Sequence, residues 1–187
     1  MKINLAPFLV FLPLGLLALG GETAQAATIQ VNPGSLMVTV GGTGGFSFSF
    51  SNDNSGYAVF SQTLLSQQFG GYGVYTDFIG IQNDLVIVAP GATITQAFNP
   101  ATKIGAGSYT FLSAATPGTT VGGTLSLYYD VFSVDPNAAN FDSITDYVSS
   151  QQVSQAVTMV AVATPEPGAL GMAAASLLLI AVARRGS

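Results

Sequence analysis

The most regular stretch of the chain is Gly45-Phe46-Ser47-Phe48-Ser49-Phe50-Ser51, where aromatic and hydroxyl residues alternate. Successive side chains of a β-strand point to opposite faces, so this period of two buries Phe46, Phe48 and Phe50 on one face and leaves Ser47 and Ser49 in water. A helix would scatter the same three rings around its axis. Less regular β-rich runs cover Thr28–Asn32, Leu36–Val40, Tyr57–Leu65, Gly73–Ile79, Leu85–Ala89, Thr93–Phe98, Ser108–Ala114, Thr124–Val134 and Val153–Val162. Turn formers separate them: Asn32-Pro33-Gly34, Gly41-Gly42, Asn52 to Gly56, Asn83-Asp84, Pro90-Gly91, Gly105 to Gly107, Pro117-Gly118 and Asp135-Pro136-Asn137. About ten short strands without a long amphipathic helix between them predict an all-β, antiparallel sandwich. The segment 138–152 admits two readings. Phe141, Ile144, Tyr147 and Val148 recur at helical spacing, with Asn137 or Asn140 available as a cap. The β-propensity of Ile144, Thr145, Tyr147 and Val148 favours instead a loop with a short strand over Ser143–Val148.

Both ends depart from this pattern. Met1-Lys2 precedes an apolar run, Ile3 to Leu19, broken by Pro7 and Pro13, and then come polar Glu22-Thr23 and Ala24-Gln25-Ala26. This small-x-small arrangement is a signal-peptidase site and predicts a removable secretory signal over 1–26, cut between Ala26 and Ala27. The competing reading, an uncleaved anchor, is disfavoured by the two prolines and the short apolar run. At the far end, Gly168 to Ala183 carries no charge and is followed by Arg184-Arg185. A helix of that length spans about 24 Å against a hydrocarbon core of roughly 30 Å, and it inserts when the arginines reach to the interface. Positive charge stays cytoplasmic, which agrees with everything upstream having been exported.

Before that helix stands Pro165-Glu166-Pro167. The prolines hold φ near −65° and push their predecessors toward extended geometry, giving a stiff strip that a protease can read, with Glu166 as its carboxylate. The order of Pro-Glu-Pro, a glycine- and alanine-rich apolar segment and a terminal arginine pair resembles the PEP-CTERM sorting domain over about residues 164–187. The resemblance implies export by a bacterium with an outer membrane and recognition by exosortase, a membrane-embedded protease-transpeptidase. It further implies transient membrane tethering, then a place at the cell surface or in the extracellular matrix, with exopolysaccharide and biofilm as the setting. The plainer alternative is a Pro-containing linker before an ordinary anchor.

The expected domains are therefore the signal at 1–26, a single body at 27–164, and the sorting signal at 165–187, made of the motif 165–167, the helix 168–183 and the basic tail 184–187. In the body, Leu85-Val86-Ile87-Val88-Ala89-Pro90-Gly91-Ala92-Thr93 and later Gly105-Ala106-Gly107-Ser108-Tyr109-Thr110-Phe111 resemble strands of immunoglobulin-like bacterial surface modules. In such modules an apolar strand meets a Pro-Gly turn and a later Gly-x-Tyr opens another. The fold implied is an immunoglobulin-like sandwich.

Composition narrows the chemistry. Apolar residues make up 49% of the chain and charged residues only 7%, where roughly 25% is usual. Cysteine, histidine and tryptophan are absent, which excludes Ser-His-Asp and Cys-His nucleophilic sites, histidine zinc sites, iron–sulfur clusters and disulfide scaffolds within this sequence. A net charge of −5 with four basic residues argues against nucleic acid. In the body, Lys103 alone opposes Asp53, Asp77, Asp84, Asp130, Asp135, Asp142 and Asp146.

Four chemistries remain to be weighed. Asp130, Asp135, Asp142 and Asp146, with Asn137 and Asn140, offer oxygen ligands for Ca²⁺, but no known loop spacing is met and solvated turns explain them more simply, as turn chemistry explains Asn52 to Gly56. Asp77 with Asp84, or Asp130 with Asp142, are formal pairs for a glycoside hydrolase. Lys103 and a serine are a formal Ser-Lys dyad. The segment Gln67-Gln68-Phe69-Gly70-Gly71-Tyr72-Gly73-Val74-Tyr75 sets rings among glycines, so Phe69, Tyr72 and Tyr75 are candidate carbohydrate contacts. The simpler reading tucks those rings into the sandwich edge. The expectation is a non-catalytic exported protein needing no metal or cofactor, with a carbohydrate-binding module as the alternative.

Overall fold

A computed structural model describes residues 27–67, 70–82 and 85–164. Ala24, Ala26, Pro165, Glu166, Pro167, Arg184 and Arg185, and so the expected signal, membrane helix and sorting motif, lie outside the described residues. The ten strands found follow the alternation of the sequence: β1 (Thr28–Asn32), β2 (Ser35–Thr39), β3 (Thr43–Ser51), β4 (Tyr57–Gln67), β5 (Gly73–Asp77), β6 (Ile87–Val88), β7 (Thr93–Gln96), β8 (Gly107–Phe111), β9 (Thr120–Phe132) and β10 (Tyr147–Val162). Pro90-Gly91 and Pro117-Gly118 close tight turns, in which the Ala92 amide donates to the Ala89 carbonyl at 3.1 Å and the Thr119 amide to the Thr116 carbonyl at 2.9 Å. Gly91 and Gly118 have φ of 69° and 91°, the left-handed conformation that the residue after proline takes in such a turn.

The strands form two sheets. One runs β1-β3-β8-β5, with β7 on the Phe48–Ser51 half of β3, and the other runs β2-β10-β9-β4-β6. Pairings are antiparallel except one: β2 lies parallel to β10, with Ser35 opposite Thr158 and Thr39 opposite Val162. The purely antiparallel expectation fails here because no hairpin separates β1 from β2. The chain leaves the first sheet at Asn32, turns through Pro33 and Gly34, and continues along the second sheet in the direction of β10. Gln155 of β10 closes that side of the sandwich, its Oε1 accepting from the Val31 amide at 2.6 Å and its Nε2 donating to the Val31 carbonyl at 3.3 Å. A side-chain amide thus stands in for a strand neighbour.

Between the sheets the rings of β3 do what their spacing predicts. Phe46, Phe48 and Phe50 are buried, and Phe50 packs edge-on against Phe60 at 4.8 Å and Tyr129 at 5.1 Å across the interface. Val121, Leu125, Leu127 and Met159 complete the interior from β9 and β10. Outside, the hydroxyls of β3 pair with those of its neighbours: Ser49 with Thr95, Ser51 with Thr93 and Thr43 with Thr110, each at 2.7 Å.

Residues 138–152 contain no helix. The Asp142 carboxylate accepts the Ile144 amide at 2.8 Å and the Asp146 carboxylate the Asp142 amide at 2.8 Å, so side chains take the amides that a longer helical ladder would use. The strand begins at Tyr147 rather than Ser143 and runs on to Val162, well ahead of its expected start at Val153. Phe132 anchors the loop by edge contact with Phe141 at 5.2 Å.

Replacing Phe50 by Ala is expected to cost about 3–5 kcal/mol in denaturant unfolding, the range for emptying a packed aromatic site. A loss below about 1 kcal/mol would contradict the position of this ring at the sheet–sheet interface.

Candidate functional site

Of the glycine- and tyrosine-rich segment, Gly73 to Tyr75 lie in the edge strand β5. Tyr72 and Val74 lie on the outward side of the β5–β8 pair together with Leu112, at 39%, 51% and 41% exposure. Tyr75 has the opposite parity and turns inward. A Cβ on Gly107 would fall 2.3 Å from the Tyr75 hydroxyl oxygen, and one on Gly73 would fall 2.3 Å from that of Tyr109. Each tyrosine of the β5–β8 pair therefore lies over a glycine of the other strand. The close approach that these glycines permit is taken by rings of the same chain. Phe69 lies outside the described residues; of the other two candidates, Tyr72 faces solvent and Tyr75 faces the sheets.

Tyr75 belongs to a polar clamp between the sheets. Its hydroxyl donates to the Ala106 carbonyl at 2.9 Å and meets Thr63 Oγ1 at 2.8 Å, while Thr63 Oγ1 also reaches the Ala106 carbonyl at 2.7 Å and the Asp77 carboxylate. Thr63 comes from β4 of the second sheet, whereas Tyr75, Asp77 and Ala106 come from the edge of the first. Burial pushes the Tyr75 phenol well above its ordinary value of 10, with the nearby Asp77 carboxylate acting in the same sense and the Thr63 hydrogen bond opposing them.

The aspartates are engaged locally. Asp77 accepts the amides of Ile79 at 2.9 Å and Gly80 at 3.0 Å, and Asp135 accepts that of Asn137 at 2.9 Å. Asp142 and Asp146 serve the loop described above, so neither Asp142 nor Asp77 is a free carboxylate facing a partner. Asp84 lies outside the described residues. Among the described residues no three acidic side chains converge as a metal site. The Lys103 amine sits 5.0 Å from the centre of the Phe78 ring, which stacks on Phe98 at 5.8 Å. That is a cation over an aromatic face, an arrangement distinct from a base beside a serine hydroxyl.

One hub is illegible in the sequence. Asn52 is fully buried, donating to the carbonyls of Gly56 at 2.9 Å and Val88 at 2.8 Å and accepting the Asn54 amide at 3.2 Å. An asparagine in a turn gives no sign that it will tie the 52–56 loop to β6.

Among the described residues, two hollows lie on the outer face of the second sheet. Register places Ser66, Thr124 and Ala156 in one row across β4, β9 and β10, then Leu64, Ser126 and Ser154, then Gln62, Tyr128 and Gln152, then Val59, Asp130 and Ser150. A hollow of about 580 Å³ lies at one end, lined by Ser66, Gln67, Gly122, Gly123, Thr124 and Ala156 to Thr158. A second, of about 310 Å³, lies at the other end between Val59, Ser61, Gln82, Leu85, Asp130 and Phe132. Among the described residues Asp130 is the only charged one lining either hollow.

No family model matches the chain, and no curated protein matches it. Among solved structures it is similar to the ASH/PapD-like domain 7 of human CEP192, with a TM-score of 0.32 and 8% identity over 88% of this chain and 96% of that one. It is also similar to a chain of the chaperone–tip adhesin complex described for CFA/I fimbriae biogenesis, with a TM-score of 0.31 and 12% identity over 73% of this chain and 56% of that one. The assignment of a two-sheet sandwich rests on its own pairing and packing.

Because the folded chain raises the Tyr75 pKa, the stabilisation is complete below about pH 10 and is lost as pH rises toward the folded-state value. Unfolding monitored between pH 8 and 11 is expected to show falling stability, with a shallower fall in Tyr75→Phe. Tyr72→Ala, at an exposed position, is expected to stay within about 0.5 kcal/mol of the wild type. Equal alkaline slopes in Tyr75→Phe and wild type would contradict the buried phenol.

Proposed function

We propose that the chain is an exported, non-catalytic β-sandwich protein of the cell surface or extracellular matrix of a bacterium with an outer membrane. A signal peptidase removes 1–26, and exosortase then acts at the Pro165-Glu166-Pro167 strip. The observation that carries this reading is the order of elements at the two ends: Ala24-Gln25-Ala26 after an apolar run, then Pro-Glu-Pro, an uncharged segment and Arg184-Arg185. Its finer fold, an immunoglobulin-like module, is supported by the Pro-Gly and Gly-x-Tyr strand pattern.

The layout of the body supports the same reading. β1 begins at Thr28, two residues beyond Ala26, and β10 ends at Val162, ahead of the Pro-Glu-Pro strip, so cutting at either place removes nothing from a sheet. The two ends also leave from opposite poles. Thr28 pairs with Ser51 at the pole of the 52–56 and 133–146 loops, whereas Val162 pairs with Thr39 at the pole of the 40–42 and 112–119 turns. The first pole holds Asp53, Asp135, Asp142 and Asp146, and the turns of the second hold no charge. On a tethered precursor the acidic loops would thus face away from anionic lipid headgroups.

Changing Pro165, Glu166 and Pro167 to alanine is expected to leave a membrane-retained precursor that keeps its tail. Intact mass spectrometry of the wild-type surface fraction is expected to give a polypeptide starting at Ala27 and lacking the apolar tail. A surface-fraction mass that includes Leu177 to Ser187 would overturn the processing step.

A further inference from the structure

We infer that the outer face of β4, β9 and β10 is a binding track for an uncharged polysaccharide, laid along β9 from the hollow at Gly122 to the hollow at Phe132. The inference stands on the face itself and does not depend on how the chain is exported.

Three observations carry it. The first is shape: the two hollows lie on the same sheet face, joined by the Leu64–Ser126–Ser154 and Gln62–Tyr128–Gln152 rows. At ~3.4 Å per residue, the run from Gly122 to Phe132 is about 34 Å long, which suits a linear polymer better than a compact molecule. Gly122, in the lining of the first hollow, has no side chain, and Ala156 beside Thr124 has a short one.

The second is chemistry. The track offers one ring, Tyr128, between two amides, Gln62 and Gln152, with exposed hydroxyls at Ser66 and Thr124. A ring packs on the C–H face of a sugar while amides and hydroxyls exchange hydrogen bonds with its hydroxyl groups. The Gln152 amide nitrogen already donates to Ser126 Oγ at 3.2 Å and Ser154 Oγ at 3.0 Å, so the group is held in place. Charge points the same way: among the described residues Asp130 is the sole charge lining the hollows, and its carboxylate disfavours an anionic chain such as a polyuronate beside it.

The third is the ladder. β9 is paired on both sides, by β4 and β10, so its backbone groups are taken. An extended peptide laid on this face would find no sheet edge to extend and would leave its own amides without partners. A polysaccharide needs only the side chains.

The test is affinity electrophoresis of the full-length chain in detergent, in gels containing hydroxyethylcellulose, dextran or laminarin as neutral polymers and alginate as the polyanion. At least one neutral polymer is expected to retard the wild type, and alginate is not. Tyr128→Ala and Gly122→Gln, the latter filling the hollow from an outward position, should each weaken retardation about tenfold or more. Tyr128→Phe and Tyr72→Ala should leave it unchanged, and thermal melts of all four variants identify any that fail to fold. No retardation by any neutral polymer overturns the inference. So does equal retardation by alginate, retardation that survives both Tyr128→Ala and Gly122→Gln, or retention on an immobilised unfolded polypeptide in place of the glycans.

Discussion

The fold depends on burying the rings of β3. Phe46, Phe48 and Phe50 lie on one face of a strand whose other face is serine, and they find cover only when the second sheet brings Phe60 and Tyr129 over them. In a chain with 7% charged residues and no cysteine, neither ion-pair networks nor disulfides contribute much. Sandwiching these rings is the main use of apolar area, at about 25 cal/mol per Å² removed from water. The other elements follow from it. β1 and β7 flank β3 in its sheet, and β4 and β9 supply the opposing layer.

The same requirement explains the side of the molecule away from β1. There the first sheet ends at β5, and the gap to β4 is closed by Thr63, Tyr75, Asp77 and the Ala106 carbonyl. A buried polar group is tolerable only when its partners are present, and this cluster satisfies each member. Tyr75 is thereby withdrawn from the surface. The glycines beside it are likewise spent on packing, since Gly107 accommodates Tyr75 and Gly73 accommodates Tyr109. At Gly73 and Tyr75 that composition presses an edge strand onto its neighbour. The surface with better geometry for such a ligand lies on the other sheet, where no short run of sequence marks it.

Much of the architecture was legible from local pattern. The phenylalanine–serine alternation and the Pro-Gly turns located nearly every strand, because period and turn chemistry act within a few residues. The boundaries that moved, at the starts of β9 and β10, are places where pairing with a long neighbour carries a strand beyond its own propensity. The 138–146 stretch resolved as a loop because Asp142 and Asp146 bind nearby amides, a competition visible only in the folded backbone. Asn52 gave no warning, since its acceptors at Gly56 and Val88 are partly remote in the chain.

By itself, the sequence determined which residues alternate, where the chain turns, which catalytic chemistries its composition lacks, and the order of the elements at its two ends. These are properties of neighbours along the chain. Only the tertiary structure decided that β2 runs parallel to β10, that Tyr72 and Tyr75 part to opposite sides, that Asp77, Asp135, Asp142 and Asp146 bind nearby amides, and that Gln62, Tyr128 and Gln152 fall in one row. Such facts depend on which strands pair and in what register, and register is set by the burial of rings far apart in sequence.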